Sequence, residues 1–248
     1  MGRHWLTTYG IRVLDYNTER EVGIAIKESG IAREGLFVTT KVRHGVYNLP
    51  EAIKTSLEKL QLDYVDLYIF HTPFYFKKLE DISPAWAIME DLKAKGLARA
   101  IGLSNFRPKD LEAVLRTCKI RPALNQIEFH PYRQRPKVRN LMQEQGILPI
   151  AYGALVPLRK KTDGPVNGLI QRLAVKYGVG SPEILMRWQL DKGMGGLVTT
   201  SSREEHLENY KRVGQFKLTA EEVVEIDHLG SQVFFKQYWP GFEAEELE

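Results

Sequence analysis

The sequence predicts an α/β fold of the closed (β/α)8 type, the TIM barrel, and two observations carry that expectation. Short apolar, β-branched runs alternate with amphipathic stretches at spacings of roughly 30 residues, a rhythm that forces parallel strands joined by right-handed crossovers. The G-x-G-x-x-G pattern that follows the first strand of an open dinucleotide-binding sheet is absent, so the closed barrel is preferred. No Pro/Gly/Ser-rich linker or shift in composition divides the chain, and residues 1–248 are read as one domain.

The elements follow in order. Phe37 to Val42 is β-branched and aromatic and predicts a strand, and Val65 to Phe70 is a nearly continuous apolar run, as a strand covered on both faces requires. Ala98 to Leu103, Ala123 to Ile127, Leu148 to Tyr152 and Gly196 to Thr200 are similar runs. Between them, Glu19 to Ser29 places Val22, Ala25 and Ile26 on one helical face, and Leu49 to Leu60 opens with Asn48 as a cap and Pro50 in its first turn. Ser83-Pro84 starts a helix ending near Lys95-Gly96, and Pro108 starts the next. Helices are also expected at Lys137 to Gln145, Val166 to Tyr177, Ser181 to Asp191 and Arg203 to Arg212. Thr219 to Glu222 is a capping box for a last helix ending near Gly230. Trp86 and Trp188 fall within helices and are assigned to the core.

Composition narrows the class of function. The chain is 43% hydrophobic and 27% charged, an ordinary globular mixture that excludes a disordered or fibrous protein. With 35 Lys+Arg against 31 Asp+Glu and no long block of one sign, nucleic acid is not the expected partner; the short run Arg159 to Lys161 could at most meet a phosphorylated ligand. A single cysteine, Cys118, read as structural and helical, allows no internal disulfide and suits a reducing compartment. No apolar run approaches the roughly 20 residues that span a bilayer. A cytoplasmic protein without membrane contact is expected. His44, His130 and His228 have no metal-ligand spacing, and no metal site is expected.

In a parallel barrel the carboxyl ends of the strands are the place to look for chemistry. They carry Asp15, Lys41, His71, Ser104-Asn105, Gln126, Glu128, Tyr152 and Thr200-Ser201-Ser202. Each alone has an ordinary explanation: a solvated lysine, a loop histidine, a Ser-Asn cap. Together on one rim, a carboxylate, an ammonium, an imidazole and a phenol are what proton transfer requires. An ammonium beside a phenol stabilises the phenolate and lowers its pKa.

Five segments in the same order, Tyr16 to Gly23 (YNTEREVG), Phe37 to Val42 (FVTTKV), Tyr64 to Pro73 (YVDLYIFHTP), Ile101 to Phe106 (IGLSNF) and Asn125 to Pro131 (NQIEFHP), resemble the aldo-keto reductases. The likeness is greatest to their fungal ketoamide- and α-dicarbonyl-reducing branch and runs from about Gly10 to the C-terminal region. It implies a (β/α)8 barrel that binds NADPH without a Rossmann domain and reduces aldehydes or ketones to alcohols. Carried over by position, the resemblance makes Asp15 the carboxylate and Tyr16 the general acid. Lys41 becomes the group that lowers the Tyr16 pKa, and His71 the group that orients the carbonyl. Ser104, Asn105 and Gln126 match positions that bond the nicotinamide carboxamide, Tyr152 the ring that stacks on nicotinamide, and Gly153 and Leu155 follow it along the cofactor. Thr200, Ser201, Ser202 and Arg203 fall on the phosphate side. Trp5, Phe74, Tyr238 and Trp239 are the expected substrate contacts, Phe74 being followed by Tyr75 and Phe76.

Three departures from the family pattern carry expectations of their own. Asp15 and Tyr16 are adjacent, whereas the family separates them, and neighbours on a strand point to opposite faces. Gly2 to Asp15 is too short for a strand, a helix and a second strand: either the barrel is incomplete and open at its N-terminal strand–helix unit, or the sequence lacks segments there, and the second reading is preferred because the residues on both sides still match the family pattern. Thr200 and His206 stand where the family has a Lys and an Arg for the cofactor's 2′-phosphate, while Ser201, Ser202 and Arg203 keep NADPH preferred over NADH. The adjacency also motivates an alternative, an NADPH-binding barrel with little turnover that acts as a redox-sensing or partner-binding subunit. A lyase or isomerase with a Schiff base on Lys41 ranks third. The expected partner is a small carbonyl compound, and the expected assembly a monomer or weak dimer.

Overall fold

A computed structural model describes residues 9–12, 18–196 and 211–240. Two compact units divide the chain, residues 1–125 and 126–248.

The first unit alternates strand and helix: β1 (Tyr9–Arg12), α1 (Glu19–Glu28), β2 (Leu36–Val42), α2 (Leu49–Leu60), β3 (Val65–Phe70), α3 (Ile82–Ala94), β4 (Ala98–Ser104) and α4 (Pro108–Leu115). β1 pairs with β2, β2 with β3 and β3 with β4, all parallel. One sheet face turns to the helices. On it Thr40 donates to Glu19 of α1 at 2.8 Å, and the Phe70 ring lies 6.2 Å from Trp86 of α3. Asp66 is the polar anchor of this face. Its carboxylate accepts from the Val38 amide at 2.8 Å and pairs with Arg33 at 2.7 Å and Arg99 at 3.3 Å. The two guanidinium groups also lie over the Tyr64 ring, at 4.0 and 4.2 Å.

The expected elements recur here with three corrections. Ala25, expected on the apolar face of α1 with Val22 and Ile26, is exposed, and the small buried residue of α1 is Gly23. A Cβ at Gly23 would stand 2.7 Å from the Leu60 carbonyl oxygen, so the contact is backbone against backbone. Asn48 precedes α2, but its side chain makes no capping bond. Cys118 lies beyond the end of α4, its amide bonded to the Val114 carbonyl at 3.0 Å. Burial, then the charge of Glu90, pushes its thiol pKa up.

β5 (Leu124–Glu128) spans the boundary between the units. The second unit continues with α5 (Pro136–Glu144), β6 (Leu148–Tyr152), α6 (Val156–Arg159), α7 (Val166–Tyr177), α8 (Ser181–Asp191), β7 (Gly195–Gly196) and α9 (Ala220–Ser231). β6 and β7 pair in parallel. The core here is aromatic: Trp188 stacks on Phe129 with ring centres 4.8 Å apart, and its indole N–H donates to Asp227 at 2.9 Å. The capping box of α9 forms as expected, Thr219 and Glu222 exchanging side-chain bonds with each other's amides. Glu222 also accepts from Lys176 and from the Tyr177 hydroxyl, both at 2.6 Å. Of the strand expected at Gly196 to Thr200 only Gly196, the second residue of β7, is described, and the helix expected at Arg203 to Arg212 lies outside the described residues except for its end. Among the described residues no helix is long and apolar enough to cross a membrane, and no group of three or more His, Cys, Asp or Glu could hold a metal.

Candidate active site

The register of the first unit decides which side chains share a face. Lys41 pairs with Ile69 and Ile69 with Gly102, so these three point to the same side of the sheet. Two residues further along β3 and β4, on that same side, come His71 and Ser104. The amide of His71 donates to the Val42 carbonyl at 2.9 Å, which carries the ladder one step past β3. Lys41, His71 and Ser104 are therefore neighbours at the carboxyl edge of three adjacent strands, on the face opposite Asp66 and Phe70. This face is crowded below them: a Cβ on Gly102 would stand 3.0 Å from Ile69 and 3.1 Å from the Leu124 carbonyl. Lys41 is only 9% exposed, an unusual environment for an ammonium.

Asn105 ties this edge together. Its backbone is left-handed, with φ 61°, which an Asn tolerates better than most residues. That turn aims its carboxamide N–H at the His71 carbonyl, 2.9 Å away, and at the Ser104 hydroxyl, 3.1 Å away. The ends of β3 and β4 are locked by one side chain. Asn125, on β5, performs a similar brace with Phe106, donating to its carbonyl at 2.9 Å and accepting from its amide at 3.4 Å. Phe74 is half-buried in a single 3-10 turn at Pro73–Tyr75, with the Arg107 guanidinium 5.2 Å above its ring.

In the second unit, alternation along β5 puts Gln126 and Glu128 on one side, 1% and 2% exposed. Tyr152 ends β6. Burial, then the charge of Glu128, raises its phenol pKa, and a hydrogen bond from the Trp239 indole works against that rise. The Tyr238 ring meets Tyr152 edge-on at 5.3 Å. Gly153 has φ +78°, and a Cβ there would meet Tyr238 at 3.4 Å and Glu128 at 3.6 Å. Leu155 is half-buried just before α6. Under Glu128 lie His130 at 3.1 Å and Arg133 at 3.6 Å. Burial lowers the His130 pKa, Glu128 opposing and Arg133 adding to the fall.

Seven of the expected site residues, Trp5, Asp15, Tyr16, Thr200, Ser201, Ser202 and Arg203, lie outside the described residues. The first unit brings together Lys41, His71, Ser104 and Asn105, and the second brings together Tyr152, Gly153, Tyr238 and Trp239. Sequence reasoning gave Glu128 no role, although its i+2 spacing from Gln126 on a buried strand marked it as inward-facing.

Residues 7–231 match the model of the aldo/keto reductase family. The chain belongs to the aldo/keto reductase family. Among similar proteins, the NAD/NADP-dependent indole-3-acetaldehyde reductase of Schizosaccharomyces pombe is 42% identical over 88% of this chain and 77% of its own length. The NADPH-dependent alpha-keto amide reductase of Saccharomyces cerevisiae is 36% identical over 87% and 72%. An aldo/keto reductase structure from Brucella melitensis superposes with a TM-score of 0.78 at 31% identity, covering 89% of this chain and 84% of that one. An aldo-keto reductase from a Medee basin deep-sea metagenome library gives 0.80 at 31% identity, covering 92% and 84%. These likenesses give the fold class, the (β/α)8 barrel of the aldo-keto reductases, and the enzyme class, an aldo-keto reductase.

Proposed function

We propose that this aldo-keto reductase uses NADPH to reduce aldehydes or ketones, α-keto esters and amides among them, to alcohols. The observation that carries this reading is the β2–β3–β4 register, which aligns Lys41, His71 and Ser104 at one edge of one face. A nearly buried ammonium has its full electrostatic effect on a neighbouring phenol, because little water screens it.

In this mechanism Tyr16 is the proton donor, and Asp15 holds Lys41. Lys41 stabilises the Tyr16 phenolate, and His71 orients the carbonyl oxygen. NADPH, when bound, supplies the hydride that the carbonyl carbon accepts. As the C=O π pair collapses onto oxygen, the Tyr16 O–H bond breaks and its proton passes to that oxygen. Lys41 balances the phenolate until water reprotonates it. The chain contributes position and charge.

The donor set fits a nicotinamide. Its carboxamide is neutral and needs both donors and acceptors, which the Ser104 hydroxyl, the Asn105 carboxamide and the Gln126 carboxamide offer without bringing a charge. Tyr152 supplies the ring face, and Gly153 and Leu155 the adjoining backbone. Thr200, Ser201, Ser202 and Arg203 would take the phosphate side, which keeps NADPH ahead of NADH. Trp5, Phe74, Tyr238 and Trp239 are the substrate side. In this proposal residues 1–248 form one domain, and the protein is a cytoplasmic monomer or weak dimer.

The test follows NADPH absorbance with an aromatic aldehyde and with an α-keto ester. The wild-type chain should oxidise NADPH and release the alcohol. Tyr16→Phe and Lys41→Met should each lower kcat by about 10²- to 10⁴-fold, while NADPH still quenches tryptophan fluorescence. Quenching without oxidation in the wild-type chain would favour the cofactor-binding alternative instead.

A further inference from the structure

The segment after α9 is held by a device the reductase chemistry does not use. Gln237 and Tyr238 both turn their amides to one carboxylate, that of Glu128, at 2.8 and 3.4 Å. Further back, the Phe235 amide donates to the Tyr132 carbonyl at 3.2 Å, and the Phe234 ring lies 5.6 Å from the Arg133 guanidinium carbon. Glu128 is 2% exposed, and its other contacts come from beneath, His130 to one oxygen and Arg133 to the other. A buried carboxylate is costly unless its lone pairs are filled, and here the tail amides complete the set. The consequence lies just beyond. With residues 237 and 238 pinned, the Tyr238 ring rests edge-on against Tyr152 and the Trp239 indole hydrogen-bonds it. Trp239 adopts φ 60°, a left-handed backbone that a large side chain occupies only when its surroundings hold it there.

We propose that Glu128 is a positioning residue for substrate specificity: its carboxylate latches the C-terminal segment, so that Tyr238 and Trp239 form a fixed aromatic wall beside Tyr152. The inference rests on the reading of Tyr152 as the nicotinamide-side ring. The wall is a surface of rings, and the carbonyl compounds it selects are those carrying a flat aromatic substituent. Small aliphatic carbonyls do not reach it and are indifferent to it. Glu128 touches neither the substrate nor the reacting atoms; it acts through the tail.

The experiment has an arm without cofactor and an arm with it. Trypsin cuts after Lys236, the residue immediately before the latch. In the cofactor-free wild-type protein that bond should be cut slowly, and in Glu128→Ala about tenfold faster, in proportion to the lost restraint. Glu128→Gln, which keeps the side chain's shape but only one acceptor oxygen for the two tail amides, should be cut faster as well; it serves if Glu128→Ala does not fold. In the second arm, the KM for an aromatic aldehyde should rise roughly tenfold in Glu128→Ala, while kcat and KM for a small aliphatic aldehyde stay within about twofold. Glu128→Gln should fall between wild type and Glu128→Ala in both arms. Unchanged cleavage in both variants overturns the latch. Faster cleavage with an unchanged ratio of aromatic to aliphatic KM overturns the specificity role. Absence of NADPH oxidation by the wild-type protein would instead strike the reductase reading, and the trypsin arm would still decide the latch.

Discussion

Lys41 and Asp66 sit on opposite faces of one parallel sheet, and the difference between them separates chemistry from architecture. Asp66 fills its lone pairs with the Val38 amide and the Arg33 and Arg99 guanidinium groups on the helix-facing side. Removing it strands an amide and a half-buried arginine, so Asp66→Ala should destabilise by about 3 kcal/mol, read in urea unfolding; a loss within the noise would mean that water replaces the carboxylate. Lys41, by contrast, should matter to rate far more than to stability, and Lys41→Met should melt near the wild-type temperature while losing turnover. Both residues were legible as positions, because β-branched runs fix the strands and strict alternation fixes the faces. Glu128 shows where legibility ends. Its burial follows from local spacing, but its partners lie 109 and 110 residues away, a distance that no local pattern encodes.

Individual helices show the same contrast. The capping box of α9 was readable because both of its bonds connect residues three apart. Thr219→Ala should cost about 1 kcal/mol, visible as a lower melting temperature. Asn48 has the right residue type before α2 yet makes no cap, since residue type alone does not set the backbone angles that a cap needs. Gly23 was invisible because what selects it is the Leu60 carbonyl of another helix. Ala is favoured over Gly in a helix by about 1 kcal/mol, but a backbone oxygen 2.7 Å away cannot yield as a side chain would. Overpacking wins, and Gly23→Ala should destabilise by about 1–3 kcal/mol; stabilisation in the melt would show that α1 and α2 slide apart freely. Glu222 adds a pH dependence to α9. Burial works to raise its carboxyl pKa, but Lys176, Tyr177 and the Thr219 amide hold it below the ordinary value. A depressed pKa contributes stability that is complete above the unfolded value, about 4.3, and is lost as pH falls through the folded one. The melting-temperature gap between wild type and Glu222→Gln should therefore be open at neutral pH and close in acid.

For the whole molecule, the groups of the proposed reaction are distributed along the chain: Lys41, His71, Ser104 and Asn105 before residue 125, and Gln126, Tyr152 and the tail after it. Strand–helix alternation made the barrel class legible, and family membership agrees with it. The proton donor and its carboxylate, Tyr16 and Asp15, lie outside the described residues, so chemistry has to test them. Binding of NADPH at about 100 times its Kd should add about 2.7 kcal/mol and raise the melting temperature by roughly 5 °C or more. The most direct measurement uses NADPH carrying deuterium at both positions of the hydride-donating carbon, with an aromatic aldehyde as acceptor and mass spectrometry of the product. Direct transfer predicts an alcohol carrying one deuterium on its carbinol carbon, in amount equal to the cofactor oxidised. An alcohol without deuterium, or bound NADPH that is never oxidised, would contradict the assignment.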